Sequence, residues 1–248
     1  MKKFLFLAVL TPILWSCDPD DPKPVDPVAE TVKVTINPTY GTQAFYMDSV
    51  YTTAEGYKVK FTELTCYFTL LKNGTNQLIE AALFNFRETG SLLTSRAGNH
   101  LDFSNLSGKI GVDSSLNHLD PSAFPNESLL NISNAGPMHW GWNPGYIFMN
   151  IEGKVDTIID ATNNLDLSFS FHVGTDTYLQ AFNFENVQWQ DKGNKVWELP
   201  MKLDLAYFLS NPTSSINLKD EHLTHTAAGQ ETLTQKVIQN FKNALTIN

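Results

Sequence analysis

Leu165-Asp166-Leu167-Ser168-Phe169-Ser170-Phe171-His172-Val173-Gly174 alternates apolar and polar side chains without a break. Successive residues of an extended chain point to opposite faces, so Leu165, Leu167, Phe169, Phe171 and Val173 form one apolar row. Asp166, Ser168, Ser170 and His172 form the other row, and His172 is thereby expected to point out of the core. The same period of two recurs outward from this strand. Val32, Val34 and Ile36 alternate with Thr31, Lys33 and Thr35, a half-buried strand expected to end at Asn37-Pro38. Tyr57, Val59 and Phe61 share one parity, whereas Leu64, Cys66, Phe68 and Leu70 share the other. That change of phase near Glu63 predicts a bulge or a strand break. Asn73-Gly74 signals a turn, after which residues 77–86 resume an extended pattern. Residues 146–151 and 197–208 carry further strands, the latter with Leu199, Met201, Leu203 and Leu205 in phase. Residues 92–136 read as loop-rich. Only the end of the chain has helical spacing, with Leu233, Val237, Phe241 and Leu245 in a stripe widened by Ile238 and Ala244. The expected fold is mostly β: one β-sandwich-like domain over residues 31–248, with long loops and a C-terminal α-helix.

Composition narrows the function classes. The chain has 248 residues, 42% of them hydrophobic, with 16 Phe and 8 Tyr to fill a core. Its 17 basic against 26 acidic residues give a net charge of −9, which argues against nucleic acid as a partner. Only 2 Cys exclude a disulfide scaffold.

The first residues read as a leader. Lys2 and Lys3 precede a short apolar run from Phe4 to Trp15, too short for a transmembrane helix. Leu14-Trp15-Ser16-Cys17 resembles the lipobox of bacterial lipoproteins, which implies a signal peptide over residues 1–16 and an acylated Cys17 at the mature N-terminus. Residues 18–30 hold four Pro and five acids with one Lys, the composition of an extended tether. Acidic residues behind the lipidated Cys resemble signals that send some lipoproteins to the outer surface. The expected location is the cell envelope, as an outer-membrane lipoprotein facing the periplasm or the exterior, with membrane lipid as partner through Cys17. Cys66 then has no intrachain partner and is expected to be a buried small hydrophobe.

No Gly-x-Ser-x-Gly elbow, His-Glu-x-x-His helix or Walker loop occurs, and the Asp220-Glu221 pair alone nominates no glycosidase. The six His are more informative. His139 stands in Pro137-Met138-His139-Trp140-Gly141-Trp142 just before a strand, and His172 lies beside Gly174 at a strand end. His222 and His225 form a His-x-x-His pair before the last helix. Imidazoles from strand ends and loops can converge on copper, zinc, iron or nickel. The bland alternative is a set of ordinary hydrogen-bonded histidines, and His100 and His118 are assigned to it. Trp140 and Trp142 read either as core aromatics at a sheet edge or, with Trp189, as a sugar-stacking platform.

The run from His139 to Gly153, His-Trp-Gly-Trp-Asn-Pro-Gly-Tyr-Ile-Phe-Met-Asn-Ile-Glu-Gly, resembles the Trp-x-Trp-x-x-Gly-Tyr…Glu-Gly signature of MbnP-like copper-binding proteins. Lys58-Val59-Lys60-Phe61 with Cys66-Tyr67-Phe68, and Gly111-Val112-Asp113-Ser114 with Asn117, follow that family's order. Phe171-His172-Val173-Gly174 is similar to its Phe-x-His-x-Gly strand end, although Phe171 directly adjoins His172 here. His222-Leu223-Thr224-His225 resembles its His-rich ending, with Thr224 where a Met often precedes the last His.

The resemblance implies a mostly β extracytoplasmic domain that binds one copper through histidines and is not an enzyme. His139, His172 and His225 are the implied ligands, with His222 in reserve. Trp140 or Trp142 is the implied indole for oxidation to kynurenine by a dihaem MauG-like oxidase. The expected role is copper storage, uptake or delivery. A surface carbohydrate-binding or adhesive lipoprotein using the exposed Trp residues is the alternative, and a copper or zinc enzyme with an open coordination position is a third reading.

Overall fold

The structure is a computed structural model that describes residues 29–140, 145–160 and 164–247. Its principal strands are β1 (Thr31–Tyr40), β2 (Lys58–Asn73), β3 (Asn76–Asn85), β4 (Leu92–Ala97) and β5 (Leu106–Ile110). They continue with β6 (Ile147–Asp156), β7 (Leu167–Gly174), β8 (Gln180–Phe184), β9 (Val196–Asp204), β10 (Leu223–Thr224) and β11 (Leu245–Ile247). One sheet has β1 at its centre, parallel to β9 on one side and antiparallel to β4 on the other, with β11 on the far side of β9. The second sheet is built on β2. Its first half pairs with β6 and its second half with β5 along the same side, while β3 takes the opposite side. β7 follows β6, and the short β10 adds in parallel to β7.

The inner faces of both sheets share one core. Val32, Val34 and Ile36 of β1 and Leu199, Met201 and Leu203 of β9 meet Phe61, Leu64, Cys66, Phe68, Ile151, Phe169, Phe171 and Val173. The apolar row of β7 is the row expected from its alternation. The C-terminal helix, Glu231–Ala244, buries Val237, Ile238 and Phe241 in the same core, each contributing about 1.5–3 kcal/mol. Cys66 is fully buried, and burial pushes its thiol pKa well up.

The change of phase in β2 is a bulge, since its register with β6 shifts between Phe61 and Glu63. A second slip follows. Leu70 adopts φ 53°, the register with β5 shifts between Thr69 and Lys72, and Leu71 becomes the buried residue instead of Leu70.

Several expected boundaries move, each for a local reason. β1 runs through Asn37-Pro38 to Tyr40, because its pairing with β4 stops at Thr35 and Pro38 needs no donor on that side. The 92–136 region contains β4 and β5. Gly108 occupies an inward position of β5 beside the Phe182 ring, which conceals the alternation. Leu205 starts a short helix, Leu205–Leu209, because the Asp204 carboxylate accepts from the Ala206 and Tyr207 amides as an N-cap. Leu245 belongs to β11 and reaches the core from there.

A smaller apolar cluster lies on the second sheet's outer face. Tyr67 and Phe148 project there and are covered by Val112, Leu116, Leu130, Ala135 and Met138 from the long connection between β5 and β6. This connection shields only part of that face. The remainder, on β6 and β7, carries Asn150, Glu152, Ser168, Ser170 and His172.

Candidate metal site

The polar part of the outer face is assembled by register. β6 places Glu152 opposite Ser170 and Asn150 opposite His172, while β2 sets Thr65 opposite Asn150. Parallel pairing of β10 puts Leu223 beside Ser170 and Thr224 beside Phe171, so the next residue, His225, falls beside His172. Three hydrogen bonds hold this edge. Ser170 N donates to His222 O at 2.8 Å, Thr226 Oγ1 donates to His172 O at 2.9 Å, and Gly174 N donates to Thr226 Oγ1 at 3.1 Å.

The result is a pair of imidazoles. The His172 and His225 rings lie 4.5 Å apart between centroids, inclined at 57°. His172 Nε2 sits 2.7 Å from Glu152 Oε1 and 3.2 Å from Ser170 Oγ. The His172 side chain is 18% exposed, opposite in direction to the fully buried Phe171 and Val173. Burial first, then the neighbouring His172, holds the His225 pKa below the usual imidazole value, with Glu152 opposing. Such a ring is neutral at pH 7 and keeps a lone pair for a metal.

His139 comes to the same end of the sheet from the other side. It forms an isolated bridge with Tyr146, whose ring it meets edge-on at 4.8 Å, and Trp140 N donates to Gly145 O at 3.0 Å. The Trp140 indole rests on Gly174, where a Cβ would meet Trp140 Cζ3 at 2.4 Å. Only a glycine lets the indole lie that close to the end of β7. Burial lowers the His139 pKa as well.

The sequence-derived residues therefore divide. His172 and His225 are brought together, and His139 reaches their strand end through the contact of its neighbour Trp140. His222 is separated from His225 by strand alternation. It falls on the side of Thr224, which is buried against Thr234, and its Nδ1 is buried without a hydrogen-bond partner among the described residues. Trp142 and Cys17 lie outside the described residues. His100 stacks on Trp197 at 3.6 Å and lies 2.8 Å from Glu30, while His118 contacts Asp176 at 2.8 Å. Trp189 packs against the core, partly buried, and its indole N–H donates to Phe103 O at 2.8 Å.

Among the described residues, no three of His, Cys, Asp and Glu gather in metal-holding geometry. The donors present nonetheless suit an imidazole-binding metal: two adjacent rings, a carboxylate on one of them, and no thiolate. Asn150 Oδ1, beside His172 in the register, is buried with no hydrogen-bond partner among the described residues. Asn150 and Glu152 were not among the expected site residues. Their signal was the parity of β6, where Asn150, Glu152 and Lys154 alternate with Met149, Ile151 and Gly153.

Fold and site together define a β-rich domain with an imidazole pair on one sheet edge. The chain matches the MbnP family over residues 29–230 and belongs to that family, which is associated with copper. Among solved structures it is similar to MbnP from Methylosinus trichosporium, at 14% identity and a TM-score of 0.46, covering 73% of this chain and 77% of that one. No curated protein matches it.

Proposed function

We propose that this chain is a copper-binding lipoprotein of the cell envelope that stores, takes up or delivers the metal and catalyses no reaction. The observation that carries this reading is the His172–His225 pair at 4.5 Å, with Glu152 on the far nitrogen of His172. Copper is cargo here, held by the two imidazoles with His139 as the third candidate ligand. Zinc accepts the same nitrogens and is the competing metal. Metal analysis of the protein purified from its native host is expected to find copper in an amount approaching that of the chain. Zinc in that amount with no copper would overturn the assignment.

Trp140 or Trp142 is the proposed site of oxidation to kynurenine by a dihaem MauG-like oxidase. The contact of Trp140 with Gly174 supports Trp140, because a modified indole there would adjoin the histidine-bearing strand.

Anchoring is proposed to rest on Cys17 and the tether of residues 17–30. No helix among the described residues is long and apolar enough to cross a membrane. One myristoyl-sized chain binds a bilayer only reversibly, whereas the multiple acyl chains of a lipidated Cys give stable attachment. Cys17→Ser is therefore expected to move the protein from the membrane to the soluble fraction. A variant that stays membrane-bound, with no lipid on the wild-type Cys17 by mass spectrometry, would contradict the anchor.

A further inference from the structure

Glu152 stands against His172 on the neighbouring strand, and nothing in the proposed ligand set uses it. We infer that Glu152 is a positioning residue: it fixes the proton of His172 on Nε2 and so reserves Nδ1 for the metal. This rests on the copper reading of the His172–His225 pair and adds a role to it.

Glu152 pairs with Ser170, and His172 lies two residues further along the same face, so the carboxylate and the imidazole are diagonal neighbours across β6 and β7. His172 Nε2 is 2.7 Å from Glu152 Oε1, a charge-assisted distance. A carboxylate only accepts, so the hydrogen between them belongs to Nε2. A neutral imidazole has one N–H, and placing it on Nε2 leaves the lone pair on Nδ1. Ser170 Oγ, 3.2 Å from Nε2 and 3.5 Å from Glu152 Oε1, braces the same side of the ring. Carboxylates placed behind ligating histidines raise ligand basicity and hold the ring in orientation, and their removal costs about 10–100-fold in metal affinity. Glu152 is 39% exposed on its side chain, but its partner is only 18% exposed, so the bond is made in a partly desolvated setting.

A direct ligand would behave differently from a positioning residue, and two measurements separate them. The first is the tautomer of His172 in metal-free protein, read from nitrogen-15 two-bond correlations. Nε2-protonated His172 in the wild type is expected, and an Nδ1-protonated ring would overturn the inference. The second is a double-mutant cycle on copper affinity. Glu152→Ala is expected to weaken binding by about 10–100-fold in the wild type and by less than about 2-fold in a His172→Ala background. An equal loss in both backgrounds would make Glu152 a ligand and overturn its positioning role. If His172→Ala and His225→Ala leave copper affinity unchanged, the copper reading itself fails, while the tautomer measurement still judges the Glu152–His172 contact.

Discussion

Gly153→Ala is expected to destabilise the domain by about 3 kcal/mol, the upper end of the overpacking range. A Cβ at Gly153 would lie 2.1 Å from Lys60 O and 2.5 Å from the Phe169 ring. Neither neighbour can yield at low cost. Lys60 O belongs to the β2–β6 ladder just before the bulge, where Phe61 pairs with Gly153 itself. The Phe169 ring is fully packed, meeting Phe61 edge-on at 5.5 Å and tilted against Phe171 at 5.5 Å. Relief requires the two central strands of the second sheet to part, and this pair carries Asn150, Glu152 and the strand next to His172. Urea unfolding of the variant should show a clearly lower midpoint with an unchanged slope. A midpoint equal to wild type would mean that β2 and β6 are not this close.

Much of the fold was legible because most strands expose one face and bury the other. The alternation of β7 survived into the structure residue by residue, and the bulge near Glu63 announced itself as a change of parity. What the pattern could not carry was pairing. Nothing local in Thr31–Tyr40 says that it runs parallel to Val196–Asp204, far along the chain. Strands also escaped notice where an inward position was filled from elsewhere, as Phe182 does over Gly108. At Leu205 and Leu245 the apolar periodicity continued after the backbone had changed conformation. Both side chains still reach the core, one from a capped helical turn and the other from a terminal strand.

The site follows the same division. Ser168 and Ser170 were enough to place His172 on the outer face. The approach of His225 depends on the parallel addition of β10 to β7, which no spacing in the sequence reveals. A His-x-x-His pair reads as two ligands on one face only in a helix. In extended chain the same spacing separates the rings, and His222 is accordingly turned to the side of Thr224. Glu152 was visible as part of a motif, but its role required the distance to His172.

His172→Ala and His225→Ala are each expected to lower copper affinity by more than about 100-fold, exceeding the loss of an outer-shell partner, because each removes one of the paired imidazoles. Protons compete for the same lone pairs, which gives the affinity a defined pH dependence. Burial and the neighbouring His172 hold the His225 pKa below its ordinary value, so protons compete for its lone pair only at a lower pH than for a free imidazole. Copper affinity is therefore expected to fall with pH only once the depressed His225 titration is reached. The most direct measurement is copper titration of protein purified from its native host, comparing wild type with His172→Ala, His225→Ala and His139→Ala. Tight binding by wild type and loss in both His172→Ala and His225→Ala is the predicted result. Unchanged affinity in those two variants would contradict a copper site built on this pair.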